Sequence, residues 1–182
     1  MHKPLQRMTA VQPAVRLRPL RASDENAFMQ GVRSSRELLK PWVQVPMSRK
    51  AFQKYVLEMN TADDRAWAVT RSDTGALAGV VELRDIFYGD FKNAYVIYYG
   101  FQPHLRQGLM RQAVELAIGI AFKRLKLHRL EANIQPDNLA SIALVRACGF
   151  SKEGFSPRFL KKNGQWRDHE RWALLADDLT DN

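Results

Sequence analysis

Residues 95–150 read YVIYYGF (95–101), QPHLRQGLM (102–110), RQAVELAIGIAFKRLKL (111–127) and HRLEANIQPDNLASIALVRACGF (128–150). The first segment is an apolar run of strand length. The second is a short basic loop with one glycine, Gly108. The third has helical periodicity, with Arg111, Glu115 and Lys123 as its polar stripe. The fourth alternates as a strand, with Leu130, Ala132 and Ile134 on one face and Arg129, Glu131 and Asn133 on the other. It then opens a short helix at Asn138, which Gly149 ends. The first N–H groups of a helix have no partner inside it, and the helix dipole adds partial positive charge there. Arg106 and Arg111 flank such a turn here, so the first hypothesis is an anionic, pyrophosphate-bearing ligand at this helix start. A glycine between a strand and a helix is also an ordinary turn residue. The second strand and second helix start, arriving at a distance that lets them meet the loop, favour the site.

Outward from this stretch, Val15–Pro19 reads as a strand, and Ser23 as an N-cap with Asp24 and Glu25 in the first turn. Residues 36–40 suggest a short helix stopped by Pro41. Residues 48–60 form a helix pattern with Phe52, Val56 and Met59 on one side. Residues 67–70 and 76–83 make a hairpin around Ser72-Asp73-Thr74-Gly75, and 93–101 follow as a central strand apolar on both faces. Residues 109–125 are expected to be one helix. Residues 155–161 and 167–175 form a last hairpin, for which Asn163-Gly164 is a strong turn signal. No repeat, low-complexity tract or long linker divides the chain. It is expected to be a single domain over 1–182, with its core at about 15–175.

The 182 residues include 46% apolar residues, enough for a packed core and too many for disorder. A single cysteine, Cys148, excludes an internal disulfide and fits a reducing, cytoplasmic setting. No apolar run approaches the roughly 20 residues of a membrane span. Lys3 and Arg7 lead a basic start, but it lacks an apolar signal core and runs into a strand pattern, so targeting is the weaker reading. The net charge of +9 favours anionic partners. Without a zinc cluster, helix-turn-helix or RNP motif, sequence-specific nucleic-acid binding is not expected.

The loop, second strand and PDNLAS helix start together resemble the acetyl-CoA-binding region of the GNAT acetyltransferase superfamily. The stretch from His128 to Phe150, then EGF and NGQWRDHERWALL, with LRPLRASDENAF and LLKPWVQVP earlier, resembles the Rim-type N-acetyltransferases of ribosomal-protein N-termini. This likeness runs from about Val15 to Leu175. It implies an α+β fold: a mixed, mostly antiparallel sheet with helices on both faces, its fourth and fifth strands splayed where the coenzyme enters. The implied activity is acetyl transfer from acetyl-CoA to an amine, the α-amine of a protein N-terminus, possibly ribosomal. A small amine such as a polyamine or aminoglycoside is the alternative acceptor. A non-catalytic acyl-CoA-binding or RNA-associated module is the third reading. Monomer and homodimer are both left open. The family loop is written Q/R-x-x-G-x-G/A, and this chain departs from it at Leu105 and Met110; a Met there is expected to crowd the pyrophosphate.

The resemblance implies that the backbone of Arg106, Gln107, Gly108, Leu109 and Met110 holds the pyrophosphate. A strand N–H from the Val96 to Phe101 run, with Phe101 at the coenzyme, would meet the thioester oxygen. Asn138 would reach the pantetheine, cap its helix, or do both. Ser141 would sit near the sulfur and protonate the departing thiolate. No carboxylate lies between Asn93 and Phe101, so strand alternation makes Glu131 the best-placed base, acting through water. Glu82, Asp168 and His169 are further candidates; an Asp168–His169 hydrogen bond is the structural alternative for the last two. Tyr98 and Tyr99 read as core or cleft-lining, and Trp42 and Trp166 as shaping an acceptor pocket. Cys148 reads as a small apolar residue.

Overall fold

A computed structural model describes residues 14–179, so the basic start around Lys3 and Arg7 lies outside the described residues. The elements are β1 (Val15–Pro19), α1 (Glu25–Leu39), α2 (Arg49–Glu58), β2 (Arg65–Arg71), β3 (Leu77–Phe87), β4 (Asn93–Gly100), α3 (Leu109–Gly119), β5 (Arg129–Ile134), α4 (Leu139–Ala147), β6 (Ser151–Lys162) and β7 (Gln165–Leu175). The seven strands form one sheet in the order β1-β2-β3-β4-β5-β7-β6. Every pairing is antiparallel except β4 with β5. This is the expected α+β arrangement.

Alternation along β4 sorts its side chains between two cores. Ala94 and Val96 join the apolar layer under α3 and α4, with Val81, Leu83, Val114, Leu130, Val145 and Phe150. Tyr99 and Phe101 join the layer under α1 and α2, with Phe28, Phe52, Met59 and Val80. Helices therefore cover both faces of the sheet. Among the described residues no helix is long and apolar enough to cross a membrane.

Several local expectations change. Ser23 caps no helix: it lies in a short 3-10 turn, Ala22–Asp24. The side chain that organises this corner is Asp24, which accepts from the Arg21 N–H at 2.9 Å and from the Arg18 guanidinium at 2.8 and 2.6 Å. Residues 36–40 are not a separate helix but the end of α1. No proline interrupts 25–39, and Pro41 ends what precedes it. The helix expected over 109–125 is regular only to Gly119; its last turn widens over Ile120–Arg124, where the Leu125 N–H bonds Ile120 O at 3.0 Å. β3 runs on to Phe87, past the expected 83. Ser48 caps α2 through the Ala51 N–H as the sequence suggests. Asn163 and Gly164 take φ of 49° and 81° at the hairpin tip.

Gly31 of α1 packs directly on Phe101, the residue after β4. A Cβ there would lie 2.5 Å from Phe101 Cγ, and the Phe101 ring is fully buried and stacked edge-on to Phe28 at 5.6 Å. Gly→Ala inside a helix normally stabilises by about 1 kcal/mol. At Gly31 the steric conflict opposes this, and overpacking costs about 1–3 kcal/mol. Gly31→Ala is therefore expected to lower stability in urea unfolding; a more stable variant would refute this account of the α1–sheet contact.

Candidate active site

The parallel pairing of β4 with β5 covers only Asn93–Arg129, Ala94–Leu130 and Tyr95–Glu131. Beyond Tyr95 the two strands diverge: β4 continues along β3 to Gly100, and β5 continues along β7 to Ile134. A cleft of about 1180 Å³ opens at this divergence. One end is walled by the β4–α3 loop and α4. The other is walled by the start of the α1–α2 loop, β3, and the β6–β7 hairpin.

The loop end is built around Gly108, which sits at the N-cap of α3 with φ +73°. Arg106, two residues earlier, also has a positive φ of 60°. No side chain caps α3, so its first N–H groups are left for a ligand or water, and the helix dipole favours an anion there. Met110 is among the residues that line the cleft. Its side chain lies against the sheet in space left by two glycines: a Cβ on Gly79 would be 2.7 Å from Met110 Sδ, and one on Gly100 would be 3.1 Å from Met110 Cγ. Leu105 packs on the same glycine, 2.7 Å from its virtual Cβ. The two departures in the loop thus fill one space above Gly100. The Gln107 side chain shapes the loop instead of facing the cleft: it accepts from Arg71 Nη1 at 2.8 Å and donates to Pro103 O at 3.1 Å. Arg106 and Arg111 both line the cleft, with Arg111 paired to Glu115 at 2.8 Å.

Phe101 corrects the expectation that it meets the coenzyme. It has 0% exposure, and its N–H bonds Ala78 O on β3 at 2.8 Å. Because backbone direction alternates along a strand, the N–H groups of Tyr98 and Gly100, past the last pair with β5, face the gap instead.

On α4, Asn138 Oδ1 accepts from the Ser141 N–H at 3.2 Å, which caps the helix and leaves the Asn138 amide NH₂ for other acceptors. Ser141 Oγ lies 2.7 Å from Tyr98 OH, and both line the cleft. Burial holds the Tyr98 phenol well above its usual pKa, so near neutral pH the pair is two protonated hydroxyls. Tyr98 is thus more than cleft lining. Sequence reasoning missed this contact because its only signal was the placement of a tyrosine and a serine on converging elements. Cys148 lies outside the cleft lining; burial pushes its thiol up to about 11, in keeping with an inert apolar role.

At the hairpin end the buried carboxylate in the wall is Glu82; the exposed Asp85 also lines the cleft, and Glu131 does not. Glu82 is 2% exposed, accepts a short hydrogen bond from Tyr55 OH, and takes Arg84 Nε at 2.5 Å. Tyr99 OH lies 3.1 Å from Tyr55 OH. Burial, with Glu82 beside it, raises the Tyr55 phenol pKa, so Tyr55 remains a donor. Glu131 is absent from the cleft wall and pairs with Arg129 Nε at 2.7 Å; Arg129 also clasps Glu153. Strand alternation places Glu131 on the right face, but an arginine two residues away on the same face claims it. The expected Asp168–His169 bond is not formed: Asp168 accepts from the Arg158 N–H at 2.7 Å, and His169 Nδ1 bonds Arg167 O at 3.0 Å. His169 lines the cleft, and burial pulls its pKa below the ordinary imidazole value. Trp42 lines the cleft, whereas Trp166 is 60% exposed and does not. Two straps tie this end together: Asn163 Nδ2 donates to Lys40 O at 3.0 Å, and Gln135 Nε2 to Pro41 O at 3.1 Å.

Comparison with known proteins gives this cleft a context. Residues 14–151 match the model of the acetyltransferase (GNAT) domain family. The chain is 34% identical over 130 residues to "Probable N-acetyltransferase YjcK" of Bacillus subtilis, covering 71% of this chain and 72% of that protein. It is 35% identical over 108 residues to the "[Ribosomal protein uS5]-alanine N-acetyltransferase" of Escherichia coli, covering 59% of this chain and 56% of that one. A spermidine N(1)-acetyltransferase of Vibrio cholerae matches more distantly, at 24% over 150 residues, 81% of this chain and 86% of that one. In fold, the chain matches Mycobacterium smegmatis RimJ, solved in complex with CoA-disulfide, with a TM-score of 0.86 at 24% identity over 92% of this chain and 85% of that one. The chain belongs to the GNAT acetyltransferase family and is an N-acetyltransferase.

Proposed function

We propose that this enzyme acetylates the α-amine of a protein N-terminus, with acetyl-CoA as donor. The observation that carries the choice of acceptor is the charge at the hairpin end of the cleft. Its buried carboxylate, Glu82, is already bound by Arg84 and Tyr55, a second cation, Lys162, lines the same end, and the other carboxylate of the lining, Asp85, is exposed, where solvent weakens its pull on a polycation. A polyamine brings several positive charges and needs free carboxylates to meet them; a peptide brings one amine. The likeness to the uS5-alanine enzyme supports the same reading. Cytoplasmic location follows from a ribosomal-protein acceptor and rests on it.

The donor supplies an acetyl group activated as a thioester. The N–H groups at the start of α3 and the loop backbone from Arg106 to Met110 hold its pyrophosphate, and Gly108 keeps those donors pointed outward. The gap-facing N–H groups of β4 stabilise negative charge on the acetyl oxygen. The Asn138 amide NH₂ donates to the pantetheine arm. Ser141, with Tyr98 behind it, donates a proton to the sulfur as it leaves, and Tyr98 can resupply that proton across their 2.7 Å contact. The acceptor amine loses its proton to water. A free α-amine has a pKa near 8, so roughly a tenth is neutral at pH 7 and no strong base is required. Glu82 is the carboxylate placed to help that transfer, and Glu131 is not.

Four outcomes test this reading. Peptides with free N-termini should be acetylated with higher kcat/KM than spermidine or an aminoglycoside; the reverse order in a coupled CoA-release assay would reassign the acceptor. Gly108→Val forces a β-branched residue into a left-handed backbone, where strain is about 1–2 kcal/mol. It should weaken acetyl-CoA binding about tenfold in calorimetry with the circular dichroism spectrum kept, and unchanged affinity would remove the loop from the binding site. Ser141→Ala should lower kcat by roughly 10- to 100-fold with little change in the acetyl-CoA KM, since general acid catalysis contributes about 10²–10⁴-fold and Tyr98 or water can replace part of it. Wild-type turnover would make Ser141 a bystander. Glu82→Gln should reduce kcat/KM while Glu131→Gln leaves it near wild type, with both keeping the rise toward pH 8 that comes from the amine itself. Equal losses in the two variants would contradict the placement of these carboxylates.

A further inference from the structure

Lys162 is the last residue of β6, one step before the Asn163-Gly164 turn, and its side chain lines the hairpin end of the cleft. It is partly buried and makes no hydrogen bond or ion pair with any described residue. Glu82, whose charge acts favourably on it, is already occupied by Tyr55 and Arg84. Burial and then the neighbouring Arg84 pull the Lys162 ammonium below its ordinary pKa. Arg84 spends its Nε on Glu82 and leaves both terminal nitrogens without a described hydrogen-bond partner. Asp85 also lines the cleft, but it is exposed, where water and salt weaken its hold on either cation. A second unfilled group lines the cleft from β5: Asn133 Oδ1 is a buried atom with no hydrogen-bond partner among the described residues. Buried polar groups in folded proteins are nearly always satisfied, so Asn133 Oδ1 calls for a ligand or water, while the part-exposed Arg84 and Lys162 offer free cationic donors beside it.

The three groups are complementary to one kind of acceptor, an N–H donor followed at short range by an anion. We propose that Lys162 and the terminal nitrogens of Arg84 bind a carboxylate near the acceptor amine, so that the preferred N-termini carry Asp or Glu within their first few residues. Asn133 then accepts an N–H from the same segment. The proposal rests on the protein-N-terminus reading above. A guanidinium and an ammonium converging on one carboxylate give charge-assisted hydrogen bonds, which are stronger than neutral ones.

The test measures kcat/KM on N-terminal alanine hexapeptides that differ only at positions two and three, carrying Asp, Ala or Lys. Free aspartate and spermidine are run beside them. Wild type should prefer the Asp peptide over the Ala peptide by about tenfold, with the Lys peptide last. Lys162→Glu should invert the order of the Asp and Lys peptides, and Lys162→Met, which keeps an unbranched apolar side chain, should flatten it. Acetyl-CoA affinity by calorimetry confirms that each variant is folded, and Lys162→Met serves alone if Lys162→Glu is not. Acetylation of all three peptides without charge preference overturns the carboxylate site and leaves the acceptor class standing. Free aspartate surpassing the peptides in a Lys162-dependent way keeps the carboxylate site and overturns the protein-N-terminus reading. Turnover of spermidine alone overturns both.

Discussion

The structure depends on a pairing that stops early. β4 and β5 run parallel for three residue pairs and then part. Backbone N–H and C=O groups in a protein interior must find partners, and a sheet interrupted at its centre leaves a row of them facing a gap. The gap can persist because each strand is held on its far side, β4 by β3 and β5 by β7. Two antiparallel half-sheets therefore meet at a short parallel seam, and a ligand can occupy what the ladder leaves open.

The rest of the site is arranged around that divergence. α3 begins where β4 ends, so its uncapped N-terminus points at the mouth of the gap. α4 begins where β5 ends, which brings Ser141 against Tyr98 from the other strand. The gap thus brings together two elements that are distant in sequence and close only because the strands separate. The same geometry explains the tolerance for Met110 and Leu105. Gly79 and Gly100 leave room on the sheet for both side chains, so a loop without its usual small residue keeps its shape.

Positive charge stands at both ends of the cleft. Arg106 and Arg111 are at the loop end, and Arg84 and Lys162 at the hairpin end. Glu82 is the buried counter-charge, and its partners Arg84 and Tyr55 keep it oriented. An ion pair of this kind, with Glu82 buried and Arg84 part-exposed, contributes little to stability after desolvation.

The sequence by itself determined the order of elements, the left-handed turn at Gly108 that opens α3, the cap at Asn138 and the hairpin at Asn163-Gly164. These are local properties: periodicity, capping chemistry and positive φ at glycine act over a few residues and can be read from them. It also carried the family, because 128–150 and the NGQWRDH segment are dense in specific residues. Only the tertiary structure decided which side chains reach the gap. Alternation put Glu131 on the correct face, yet Arg129 and Glu153 draw it into an ion network, and Glu82 takes the wall because Tyr55 on α2 and Arg84 fix it there. Phe101 directly follows the strand that borders the gap, but its N–H points to β3 and its ring to Gly31. Long-range packing and competition between partners settle such choices, and neither is encoded within reach of a single residue's neighbours in the chain.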